Sequence, residues 1–139
     1  MRFLADTSAW LVYRRGGEQL RAWYASAVVR GDIVTCDMVR LELLKSARNS
    51  EEFAALRHEL GAVATCPIGT SEWNRTLDVY GGLAAQGGAH QRSVGHADLL
   101  IAAAAEAAGA TVLHYDSDFD RLAEITGQPT RWLMPRGSV

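Results

Sequence analysis

Lysine is almost missing from this chain, and cysteine and proline are scarce. The 139 residues hold one lysine, Lys45, two cysteines, Cys36 and Cys66, and three prolines. Two cysteines cannot form a disulfide framework, and no Cys/His pair has zinc-ligand spacing. No apolar run reaches the ~18 residues of a membrane span, and no basic-plus-apolar signal segment is present. The expectation is a cytoplasmic protein with reduced thiols and no membrane contact. Scarce proline leaves room for long uninterrupted elements. The apolar fraction of 48% is enough for one core, so residues 1–139 read as a single domain. Net charge is −2, which argues against a wholly basic nucleic-acid binder. Thirteen arginines make up the rest of the basic residues. Arginine is the better bidentate partner for phosphate. A genome rich in arginine codons is the preferred explanation of the bias, so it carries little functional weight.

Strands alternate with helices along the chain. Arg2 to Ala5 reads as a short apolar strand ending at Asp6. Thr7 or Ser8 can cap a helix through Ala9–Tyr13, stopped by Gly16-Gly17. A second helix is expected over Glu18–Val29 and a strand over Ile33–Cys36. Asp37 then caps a helix Met38–Ala47, and Ser50 caps Glu51–Leu60. Ala62–Cys66 reads as a strand stopped by Pro67, and Ser71 caps a helix from Glu72 to about Gln86. Gly87–Gly95 is expected to be a polar loop. Ala97–Ala108 is an alanine- and leucine-rich helix with Gly109 as its C-cap. Thr111–Tyr115 reads as a buried strand, Ser117 caps a helix Asp118–Thr126, and Thr130–Met134 closes the series. This alternation predicts an α/β fold with a mostly parallel sheet and helices on both faces. If the second and third strands are neighbours, Cys36 and Cys66 end adjacent strands at about 5 Å spacing.

Ligand sites in such folds lie at the carboxyl ends of the strands. Asp6 and Asp116 each end a predicted strand, and Asp98 opens a helix. Each alone has an ordinary explanation as a capping acid, worth ~0.3–1 kcal/mol. For Asp118 and Asp120 a turn and capping box around Ser117 is the preferred reading. Glu42 is harder to dismiss. At about 100° per residue it falls between Met38 and Val39, among apolar neighbours. A lone buried carboxylate is costly or becomes protonated. Pairing with Lys45 is one resolution; a cation shared with other acids is the alternative. Several acids at one sheet edge stay ionised when a divalent cation neutralises them, and all-oxygen ligands suit Mg²⁺ or Mn²⁺. His96 and His114 read as packing or hydrogen-bonding residues.

Leu4-Ala-Asp6-Thr-Ser-Ala-Trp10, Glu42-Leu-Leu, Ala97-Asp98-Leu-Leu-Ile-Ala-Ala and Leu113-His-Tyr-Asp116-Ser-Asp118-Phe-Asp120 resemble the PIN-domain ribonucleases, and more narrowly the VapC-type toxins of toxin–antitoxin pairs. The resemblance runs through the whole chain in order. It implies a three-layer α/β/α fold around about five strands. It implies a metal-dependent endoribonuclease whose catalytic quartet is Asp6, Glu42, Asp98 and Asp116. It also implies that this quartet holds Mg²⁺ or Mn²⁺ as cofactor, with Asp118 as a further acid near it. Thr7 or Ser8 matches the family's hydroxyl beside the first acid. Arg14, Arg15 and Arg92 are candidates for phosphate contact, with ordinary solvated arginine the equal alternative. The resemblance further implies an RNA substrate, a VapB-like antitoxin that inserts an arginine among the acids, and a homodimer. Trp10 and Trp23 belong either to protein contacts or to the core.

Two rivals remain at this level. Asp116-Ser-Asp118 fits the Asp-x-Asp nucleophile of haloacid-dehalogenase phosphoryl transfer, but few residues follow it. A non-catalytic binding module can use an acidic edge to hold a basic peptide or an RNA-associated partner, though it has no need of four convergent acids.

Overall fold

Three short apolar strands, buried along nearly their whole length, build the centre of the protein, with two less buried strands at the sheet's edges. The computed structural model describes residues 1–88 and 90–139. Strand β1 (Phe3–Ala5) leads to α1 (Thr7–Arg15) and α2 (Glu18–Arg30), and β2 (Ile33–Cys36) to α3 (Asp37–Leu44) and α4 (Ser50–Gly61). Then come β3 (Thr65–Cys66), α5 (Thr70–Ala85), α6 (His90–Ser93), α7 (His96–Ala107), β4 (Thr111–His114), α8 (Asp118–Thr126) and β5 (Thr130–Trp132).

The five strands form one sheet in the order β3-β2-β1-β4-β5, and every pairing is parallel. From β1 the chain moves outward through β2 to β3, then crosses back to β4 and on to β5. Crossovers of one hand therefore put α1–α2 and α5–α7–α8 on opposite faces, which gives three layers. The reversal lies between β1 and β4, where Phe3 pairs with Thr111 and Ala5 with Leu113. That is where a parallel sheet opens a crevice at its carboxyl edge.

Helix α7 is the packing centre. Leu99 through Ala105 are all buried, including residues on every side of the helix. Alanine methyls let it lie close to the sheet while α5 and α8 cover it. Gly109, at φ +67°, turns the chain off α7 and into β4 in a conformation that a side chain would strain. Arg75 on α5 grips Glu106 on α7 through two nitrogen–oxygen contacts of 2.7 and 3.2 Å. At Gly82, an added Cβ would come 3.1 Å from Ile125, so the missing side chain sets how closely α8 meets α5.

The element order follows the sequence reading, while several caps differ. Asp6, not Thr7 or Ser8, caps α1 by accepting the Ala9 N–H at 3.0 Å. Asn49 caps α4 in place of Ser50, and Gly69 precedes α5 in place of Ser71. Cys36 is the residue before α3, which starts at Asp37. Ser117 stands at the start of α8 without a capping side-chain bond; Asp116 Oδ1 accepts the Asp118 N–H instead, at 3.0 Å. At α1 and α4 the cap is the side chain that the preceding strand or loop aims back at the free amides.

The helix expected to run to Ala47 stops at Leu44, where the Ser46 hydroxyl takes the Leu43 carbonyl. Strand β3 is shorter than Ala62–Cys66 because Ala62 still belongs to the end of α4. The final strand stops at Trp132 rather than Met134. Within Gly87–Gly95, expected to be a loop, one turn of helix spans His90–Ser93, while Ala89 lies outside the described residues. Cys36 and Cys66 are register partners on β2 and β3, both buried and both free. Among the described residues, no helix is long and apolar enough to cross a membrane.

Candidate metal centre

Three carboxylates converge at the β1–β4 crevice. Asp98 comes from the first turn of α7, Asp116 from the residues after β4, and Asp118 from the start of α8. Each is half-buried, and one oxygen of each lies within 4.8 Å of the others. A turn two residues long joins Asp116 to Asp118. The Asp116 Oδ1–Asp118 N–H bond closes it and brings both carboxyl groups to one side.

Asp6 stands behind this trio rather than in it. It is 2% exposed, and its Oδ1 accepts both the Ser8 hydroxyl at 2.7 Å and the Ala9 N–H at 3.0 Å. The Ser8 oxygen also accepts the Tyr115 N–H at 2.8 Å. Asp6 is thereby tied to the end of β4 through a single hydroxyl. Glu42, half-buried on α3, borders the site from another side; its Oε1 accepts the Thr7 hydroxyl at 2.5 Å. Among the described residues, no ion pair joins it to Lys45. Both hydroxyls expected beside the first acid are thus engaged within the site.

Electrostatics bear the marks of crowding. Burial, opposed by hydrogen bonds from Ser8 and Ala9, pushes the Asp6 carboxyl up to about 6. Asp98 is pushed up to about 7, first by burial and then by Asp116, Asp6, Asp118 and Glu42. Asp118 is raised by burial and by Asp116, and lowered by Arg121 one turn along α8. Asp98 therefore senses four other acids across one crevice. His114, wholly buried behind Asp116, is held below its ordinary imidazolium range by burial. His96 is exposed and edge-on to Tyr80 at 5.6 Å.

The donor set fits a hard divalent cation. It is all oxygen, three carboxylates lie close enough to share one ion, and their mutual repulsion falls when positive charge enters. The remaining sequence-predicted residues lie farther out. Arg14 and Arg15 are exposed at the end of α1, and Arg92 is exposed on α6. Sequence reasoning passed over Arg121, which contacts the Ser93 hydroxyl and whose charge lowers the Asp118 carboxyl. Its position one turn after Asp118 is the signal that could have found it. Trp10 is buried, whereas Trp23 is 40% exposed.

Known proteins share this arrangement of the chain. The PIN domain family model matches residues 3–125. Ribonuclease VapC18 of Mycobacterium tuberculosis is 48% identical over 139 residues, covering 100% of both chains. Ribonuclease VapC51 of the same organism is 36% identical over 139 residues, covering 100% of this chain and 98% of that one. Among solved structures, DNA-bound VapBC from Salmonella typhimurium matches with a TM-score of 0.76 at 19% identity, over 96% of this chain and 99% of that one. VapBC-5 from Mycobacterium tuberculosis matches with a TM-score of 0.59 at 22% identity, over 94% and 96%. These last two likenesses are likenesses of fold.

Proposed function

Because the chain belongs to the PIN-domain family and to its VapC type, we propose that it is an endoribonuclease toxin of a VapBC-type toxin–antitoxin pair. It hydrolyses RNA phosphodiester bonds with Mg²⁺ or Mn²⁺ seated on Asp98, Asp116 and Asp118. The observation that carries the proposal is the convergence of these three carboxylates within 4.8 Å at the sheet's switch point. A bound divalent ion lowers the pKa of coordinated water and offsets charge on the phosphoryl oxygens.

The chain's own residues do the rest. Asp116 accepts the Asp118 amide at Oδ1, which leaves Oδ2 for the cation. Glu42 commits Oε1 to Thr7, which leaves Oε2 to orient the attacking water or accept its proton. Asp116 is the other candidate for that base. Asp6 raises the negative potential from behind while Ser8 holds it in place. Phosphates flanking the cut are met by Arg14 and Arg92, with Arg121 at the rim. Water as nucleophile gives 5′-phosphate and 3′-hydroxyl ends, so preference for RNA comes from shape and contacts rather than from the 2′-hydroxyl as nucleophile.

The same acids explain inhibition. A VapB-like antitoxin that places an arginine among them neutralises the cluster and excludes the cation. Trp73 and Leu77 on α5 and Leu41 on α3 are 53%, 65% and 64% exposed. They supply the apolar face for a homodimer, which sedimentation of the purified chain tests. The site of action is the cytoplasm.

Purified protein incubated with mixed RNA and Mn²⁺ should cleave it, and a chelator or Asp98→Asn should stop cleavage. Mapping the RNA ends then gives the target. Cleavage in the presence of chelator, or full activity of Asp98→Asn, overturns the proposal.

A further inference from the structure

Strand β4 ends in a histidine whose two ring nitrogens have opposite fates. His114 is 0% exposed. Its Nδ1 accepts the backbone N–H of Asp116 at 3.2 Å. Its Nε2 is also buried and, among the described residues, has no hydrogen-bond partner. A nitrogen that accepts carries no proton, so the ring hydrogen belongs to Nε2. A buried donor without a partner is unfavourable, so Nε2 does not explain a histidine at this position. The Nδ1 bond does.

Asp116 stands just past the last paired residue of β4. Its neighbour Tyr115 is secured by Ser8, and the next amide but one, that of Asp118, by the Asp116 carboxylate. The Asp116 amide itself is held by His114. The ring cannot swing away, because Phe119 and Trp132 lie 5.1 and 5.0 Å from it, centroid to centroid. The His114 carbonyl is fixed as well, accepting the Leu133 N–H at 2.8 Å.

We propose that His114 is a positioning residue for the cation seat. Its Nδ1 holds the Asp116 backbone so that the Asp116 carboxylate meets those of Asp98 and Asp118. This rests on the reading that the three carboxylates hold a divalent cation. Metal-binding residues that are held by such outer partners lose about 10- to 100-fold in metal affinity when the partner is removed.

His114→Asn and His114→Leu test it. Asparagine carries an acceptor where Nδ1 stands, whereas leucine has the same branching and none. Both delete the same ring volume, so the packing loss is shared. Mn²⁺ affinity, measured by titration calorimetry on folded protein, should be nearly that of the native chain in His114→Asn. It should be about 10- to 100-fold weaker in His114→Leu. Equal affinities in the two variants overturn the proposal, whatever their melting temperatures. In the native chain without metal, nitrogen NMR should show scalar coupling across the hydrogen bond between the Asp116 amide and His114 Nδ1. A protonated Nδ1 with no coupling also overturns the proposal, and this measurement decides if the variants do not fold. A native chain that binds no Mn²⁺ sinks the cation reading itself. Native binding with no difference between the variants sinks the role of His114 alone.

Discussion

Four strands end at the same edge of one parallel sheet, but in two kinds of group. β1 and β4 run out into carboxylates, Asp6 and Asp116; β2 and β3 finish on thiols, Cys36 and Cys66. Burial acts on both thiols and on Asp6. It pushes Cys36 up to about 11 and Asp6 up to about 6. The outcomes are opposite at neutral pH. The thiol stays uncharged and packs as a small apolar group. The carboxyl titrates close to neutrality and feels the charge of Asp116. Burial alone produces an inert residue, and burial combined with like charges produces a seat for a cation.

Removing one acid is the strongest way to break that contrast. Asp98→Asn should lower Mn²⁺-dependent cleavage by about a thousandfold, since the ion supplies several kcal/mol in the transition state. Without metal at pH 8, the same variant should melt a few degrees higher than the native chain, because it relieves crowding that burial and four neighbours create. A lower melting temperature at pH 8 would contradict the electrostatic account.

Ser8→Ala comes next. It strips a donor from Asp6 and leaves the Tyr115 N–H without its acceptor. A loss of about 1–3 kcal/mol is expected in chemical denaturation. Asp6 should also titrate still higher, readable by carboxyl NMR.

A pH series sharpens the comparison further. Asp6 and Asp98 rise from 3.8 to about 6 and about 7 in the folded chain. Between these limits the folded state keeps protons that the unfolded state has released. The two acids' contribution to metal-free stability should therefore be fully present below pH 4, fall as pH rises to about 7, and level off above, while His114, lowered by burial, contributes in the opposite sense. Mn²⁺ binding should run the other way, tightening from pH 6 to 8 as the ligands ionise. A native chain that loses no stability relative to Asp98→Asn as pH rises over that interval would refute the assignment of the Asp98 shift. The smallest effect belongs to the thiol side. Cys36→Ala should cost about 1 kcal/mol in stability and leave cleavage per folded molecule unchanged.

How much of this could be read from residues alone differs between the two sides of the crevice. The α7 helix was plain, because an alanine and leucine run ending at Gly109 admits few other structures. Asp6, Asp98 and Asp116 were marked by their places at element ends. Asp118 was read first as a turn acid, yet it belongs to the tightest trio. The bond from its amide to Asp116 exists only once β4 and α8 are in place. Ser8 offers the same lesson: its second partner lies 107 positions away. Caps were misplaced for a related reason, since Thr7 and Ser8 have the right chemistry for α1 but spend it elsewhere. Glu42 was singled out by its apolar neighbours, whereas its actual partner, Thr7, sits on another helix.

The pairing of β1 with β4 has a consequence for how the protein is made. Asp6 and Glu42 leave the ribosome long before Asp98, Asp116 and Asp118, and Ser8 must wait for Tyr115. A nascent chain therefore carries no assembled centre until most of its length has emerged and the first strand has found the fourth. Chain topology alone withholds the acid cluster until β4 and the start of α8 have been made.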